Sequence, residues 1–187
     1  MRWEDLFADM EAQLAAASQQ SLEWEAGEQA RAEYSRVGVV DRLRARAGDP
    51  VRVLLAGGLP LEGRVRSLGA GWVSLEDQGV EHVVPLAAVV WWERLGRGWA
   101  PHEDAVTGRL GLAHALRALA RARARVRIRL AGEGPQAVLE GTVDAVGRDF
   151  LDLALYPDDD YRRRDSVTAV RTVPFHAVLC VSSLAGA

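Results

Sequence analysis

The chain has no lysine, no asparagine, one isoleucine (Ile128) and one cysteine (Cys180) in its 187 residues. Each shortage excludes something. One cysteine cannot form an intrachain disulfide, so nothing points to an oxidising compartment. Four scattered histidines (His82, His102, His114 and His176) stand at no metal-ligand spacing and give no zinc signature. No stretch approaches the roughly 18 uncharged apolar residues of a membrane span. The acidic N-terminus lacks the apolar core of a signal peptide. A cytoplasmic protein with no membrane partner is expected. The missing residue types are those with AT-rich codons, as in a high-GC bacterial genome. All 23 basic residues are arginine, which under such a bias is weaker evidence of phosphate binding than arginine kept in preference to lysine.

Chemistry is also sparse. There is no phosphate-cradling glycine loop ending in Lys-Ser/Thr and no dinucleotide fingerprint. Cys180 falls inside an apolar run and reads as an inert core thiol. Asp158, Asp159 and Asp160 lack the spaced ligands of a calcium loop, and beside Arg162, Arg163 and Arg164 they read as a solvated mixed-charge loop. No catalytic residue, metal, cofactor or small-molecule substrate is expected.

What the chain has is a repeat. LEGRVRSLGAGWVSL (Leu61 to Leu75) returns as LEGTVDAVGRDFLDL (Leu139 to Leu153), and His82-Val83-Val84-Pro85 returns as Arg171-Thr172-Val173-Pro174. Ahead of each copy the hydrophobic period is two. Val51, Val53 and Leu55, like Val126, Ile128 and Leu130, point one way, as in half-buried strands. Gly63 and Gly141 fall mid-strand, where a bent strand avoids a side-chain clash. Pro85 and Pro174 end a strand, and one tight turn leads to a last strand. The second copy carries insertions near Pro135 and within Tyr156 to Val170.

Helices flank these strands. Trp3, Phe7, Met10, Leu14, Ala17, Ser21 and Trp24 recur at alternating spacings of four and three, a short heptad seam suited to self-association or to packing on the rest of the chain. Val37 to Ala47 suggests a further short helix. Asp104 is placed to cap a helix to about Arg125, with Leu112, Leu116 and Leu119 on its apolar face. The expected divisions are an N-terminal helix (1–36), a first unit (37–95), a linker (96–103) and a second unit (104–187).

A helix followed by five short strands, with glycine in the second and proline before the last, resembles the Sm-like (LSm-type) or SH3-like small barrel. Gly69-x-x-Trp72-Val73-Ser74-Leu75 and Gly147-x-Asp149-Phe150-Leu151-Asp152-Leu153 are similar to that family's first motif. The resemblance implies a mainly β fold with α: two five-stranded barrels, each preceded by a helix, plus the N-terminal helix. It also implies edge-strand assembly and RNA binding. The family's base-contacting asparagine would fall at Ser74 and Asp152, and its arginine-glycine pair is absent before Leu86 and Phe175, so the RNA pocket is not carried over. The whole chain also resembles high-GC bacterial proteins, which implies no function.

Two partner surfaces are candidates. Arg117, Arg121 and Arg125, with Arg123 and the Arg162, Arg163 and Arg164 loop, could neutralise phosphates, although acids within the chain could equally neutralise them. Trp3, Phe7, Met10, Leu14 and Trp24 could carry self-association. Trp91 and Trp92 are adjacent on a strand and must face opposite ways, so one of them needs a partner outside its own core. The favoured function is a non-enzymatic adaptor or assembly module that binds protein or itself, the alternative a nucleic-acid-binding regulator.

Overall fold

The computed structural model describes residues 3–101, 110–156 and 167–184. The chain divides into two compact units, Met1–Val39 and Val40–Ala187. The first is the helix α1 (Trp3–Tyr34), which runs through Gly27 without a break. It carries an Arg31–Glu28 ion pair and ends in a turn closed by the Ser35 amide on the Arg31 carbonyl.

The second unit takes up α2 (Val39–Arg44) and five strands, β1 (Pro50–Leu55), β2 (Leu59–Gly69), β3 (Trp72–Asp77), β4 (Val80–Pro85) and β5 (Val89–Glu93). Then come α3 (Leu112–Ala122), β6 (Arg125–Leu130), β7 (Val138–Val146), β8 (Phe150–Leu155), β9 (Ala169–Pro174) and β10 (Val178–Ser183). The period of two in the sequence becomes alternating burial in β1, where Val51, Val53 and Leu55 are buried and Arg52 is exposed. Both proline-ended strands pass into a 3-10 turn, Leu86–Ala88 and Phe175–Ala177.

The strands do not form two five-stranded barrels. They make one open antiparallel sheet in the order β5-β1-β2-β3-β4-β10-β6-β7-β8-β9. A closed barrel in each half would need β4 to meet β5 and β9 to meet β10, and neither pair is hydrogen-bonded. β4 pairs instead with β10 from the other half, in the register Val181↔Val83 and Ser182↔His82. Strand edges are unpaired donors and acceptors that pair with whatever edge reaches them.

Two cores lie in this unit. One gathers Leu43, Val51, Val53, Leu55, Val73, Leu75 and Val84, and the other gathers Leu116, Val126, Ile128, Leu151, Leu153 and Val181. Each core takes residues from the opposite half: Leu179 and Cys180 enter the first, Trp72 and Val83 the second. The expected apolar face of α3 is in place, with Leu116 buried and Leu112 and Leu119 packed beside it. The helix is shorter than expected, however. Gly111 stands at its N-cap, Arg123 leaves it in the left-handed region, and Arg125 already belongs to β6. Asp104 lies outside the described residues.

The stretch after β5 was expected to be a plain linker, but it is fastened to α2 and the turn after it. Arg46 Nε donates to the Leu95 carbonyl at 2.8 Å, Arg44 to that of Ala100 at 3.1 Å, and Arg42 to that of Gly96. Leu95 itself is buried in the first core.

The mid-strand glycines lie where neighbouring strands approach closely. Gly63 faces Val51 and Gly141 faces Val126. A Cβ on Gly63 would lie 2.9 Å from the Glu76 carbonyl oxygen, and one on Gly141 would press still harder on that of Ala154. Backbone cannot yield as a flexible side chain can. Gly63→Ala and Gly141→Ala are each expected to cost about 1–3 kcal/mol, the usual penalty of overpacking, as a lower urea midpoint with an unchanged m-value.

Candidate functional site

The sheet offers three places of interest: the junction of β4 and β10, the arginines around β6, and the two edges with no strand beside them. At the junction the ladder is short and is extended by side chains. The Glu81 amide donates to Ser183 Oγ at 3.0 Å, and that hydroxyl returns to the Glu81 carbonyl at 3.3 Å. His82 Nδ1 and Ser182 Oγ lie 2.8 Å apart. Beside them is a cleft of about 360 Å³ lined in part by Leu61, Asp77, His82, Arg127, Arg129 and Ser182.

Two titratable groups there are displaced. Burial holds the His82 imidazole below its ordinary 6.5, with Asp77 pulling the other way. Burial also pushes the Cys180 thiol up to about 11, against a weaker pull from Ser182 and Arg129. Such a thiol is almost wholly protonated at neutral pH and is a poor nucleophile.

The arginine stripe expected on one helix is divided between elements. Arg117 and Arg121 stay exposed on α3, and Arg117 donates to the Gly147 carbonyl at 3.1 Å. Arg123 sits at the helix end with φ 49°. Arg125 and Arg127 both turn to Glu140 on β7, at 3.3 and 2.6 Å. Arg127 and Glu140 face each other directly across the ladder, the pairing that sequence reasoning missed and could have found by aligning the two strands. Arg162, Arg163 and Arg164 lie outside the described residues. Of the seam on α1, Met10, Leu14 and Trp24 are exposed, Trp24 to 68%. Trp3 and Phe7 fall on the same helix, and their side chains lie outside the described residues.

The outer edges carry one tryptophan that the sequence singled out and valines that it did not. Among the described residues, β5 pairs only with β1, and β9 only with β8. On β5, Trp92 packs half-buried against the first core, whereas Val90 is 62% and Trp91 37% exposed. On β9, Val170 is 55% exposed, and Arg171 and Thr172 face solvent. Among the described residues no three His, Cys, Asp or Glu side chains gather as metal ligands, and no helix is long and apolar enough to cross a membrane.

No protein-family model matches the chain, and no curated protein matches it.

Two measurements test the junction. Unfolded His82 binds its proton more readily than folded His82, so the stability present above the unfolded value of 6.5 declines as the pH falls through it toward the lower folded value. Thermal unfolding is expected to shift to lower temperature over that window, and His82→Gln to flatten the slope. Cys180 is expected to resist alkylation in the native protein at neutral pH and to react fully once urea unfolds it.

Proposed function

We propose that the protein is a non-enzymatic interaction module that works by assembly, using the edges of its sheet to hold another protein surface. The observation that carries this reading is β5: an unpaired edge strand bearing Val90 and Trp91, both exposed and both apolar. A long apolar edge is an aggregation hazard that proteins blunt with charge, proline or a cover. The middle of β5 carries no charge or proline, with only Glu93 at its end, and no strand among the described residues covers it, which suits a strand whose cover comes from another chain. Met10, Leu14 and Trp24 on α1 offer a second apolar surface of the same kind.

Nucleic-acid binding has less behind it. Arg125 and Arg127 share Glu140, which offsets one of their two charges, so the cationic surface around β6 is smaller than the count of arginines suggests, while Arg117 keeps its charge and gives a donor to a carbonyl. The test is capture from lysate with and without nuclease, together with crosslinking of the purified chain. Crosslinked species and a nuclease-insensitive protein partner are expected. If the captured material vanishes with nuclease, the interaction reading fails. Single-stranded RNA affinity should then fall steeply with salt, and Arg117→Ala with Arg121→Ala should reduce that slope by about 1.4.

A further inference from the structure

The cleft beside the junction of β4 and β10 has an amphipathic lining. Leu59, Pro60 and Leu61 at the start of β2, with Val80 and Leu184, supply apolar surface. Polar groups come from His82 on β4, Ser182 on β10, Arg127 and Arg129 on β6, and Asp77 at the end of β3. At about 360 Å³ the space is of the size that small molecules occupy, and an apolar lining with a few polar groups is the usual make-up of such sites. None of these residues lies on β5 or β9, so the cleft is independent of the open edges.

Its arginines differ in how they are matched. Arg127 faces Glu140 across the ladder and gives it an Nε donor at 2.6 Å, on a carboxylate that Arg125 shares. Arg129, two residues on, has Val138 and Cys180 as its ladder partners, and neither offers a carboxylate. Among the described residues it has no hydrogen bond and no ion pair. A half-buried guanidinium is a fixed fork of donors partly withdrawn from water, and an oxyanion matches that fork bidentately. Beside it, Ser182 Oγ and His82 Nδ1 lie 2.8 Å apart. With a neutral ring, whichever of the two donates, one hydrogen is left over: the ring Nε2–H in one case, the Ser182 hydroxyl in the other. The only other contact of that hydroxyl on this side is the Cys180 sulfur at 3.7 Å, a weak acceptor.

The sum of charge limits what can enter. Arg125, Arg127 and Arg129 stand against Glu140 and Asp77, which leaves one net positive charge around the cleft. A doubly charged phosphate would overfill it and meet Asp77. We infer that the cleft binds a small organic monoanion, a carboxylate carried on a short apolar body. The carboxylate takes the Arg129 fork and the donor left by Ser182 and His82, and the apolar body covers Leu59, Leu61 and Val80.

Calorimetric titration of the purified full chain with sodium octanoate, octanol and inorganic phosphate tests the site, and the imidazole resonances of His82 report its position. Octanoate is expected to bind saturably, once per chain, and to shift those resonances. Octanol and phosphate are each expected to bind at least tenfold more weakly. Arg129→Gln, with circular dichroism as a check of folding, is expected to weaken octanoate at least about tenfold, the loss that follows when a charged hydrogen-bond partner is removed. Octanoate held equally well by folded Arg129→Gln overturns the role of Arg129. Octanol binding as tightly as octanoate overturns the anion site, and phosphate binding as tightly overturns the monoanion. No saturable octanoate binding, or binding that leaves His82 unmoved, overturns the cleft as the site, and these wild-type outcomes decide even if the variant does not fold.

Discussion

β10 is hydrogen-bonded on both sides, to β6 of its own half and to β4 of the other, and the second unit is built around that double engagement. The strand supplies Leu179 and Cys180 to one core and Val181 to the other, while β4 returns Val83. Neither half therefore has a complete core of its own. The last strand of the chain finishes what the first strands begin, over a separation of about 100 residues. Pairings of such long range close large loops before they are rewarded, so assembly of this sheet is expected to be slow and cooperative rather than modular.

Polar groups near the junction follow the same economy. Ser182 and Ser183 use side-chain hydroxyls to extend a ladder that the backbone makes only briefly, and they reach His82 and Glu81 across it. Elsewhere the arginines are distributed among carbonyls and carboxylates. Glu140 serves two of them, and the carbonyls of 95, 96 and 100 serve three more. Arginine in this chain thus serves to hold backbone in place as much as to carry charge.

Local order was largely legible in the sequence, because it depends on local rules. The period of two in Val51-Arg52-Val53 becomes alternating burial. Gly63 and Gly141 sit where strands come too close for a Cβ, and Pro85 and Pro174 end their strands. The Leu112, Leu116 and Leu119 face is a core face. What could not be read was pairing between distant edges. Nothing local in β4 says that its neighbour is β10 rather than β5, because both would satisfy the same donors and acceptors. The expectation of closed barrels failed there. The arginine stripe failed for a related reason: spacing at i, i+4 and i+8 counts residues along a helix that ends at Ala122, and the left-handed turn at Arg123 resets the count. The candidate edge was half legible. Adjacent Trp91 and Trp92 announced that one ring would face outward, but which one did depended on the bulge between Leu54 and Leu55.

The segment following β5 is bound by Arg42, Arg44 and Arg46 through backbone carbonyls. Guanidinium keeps its charge at any pH a protein survives, and a carbonyl cannot be protonated away as a carboxylate can. These carbonyl contacts are therefore indifferent to acidity and redox state and read no side-chain identity, while the carboxylates of Asp41 and Asp49 also engage Arg44 and Arg46. The side chains of the segment are constrained by other means, Leu95 by its seat in the first core and Gly96 by a φ of 63° with the Arg46 guanidinium where a Cβ would stand, so the path of the chain out of the first five strands is set both by α2 with the turn after it and by the connecting residues themselves.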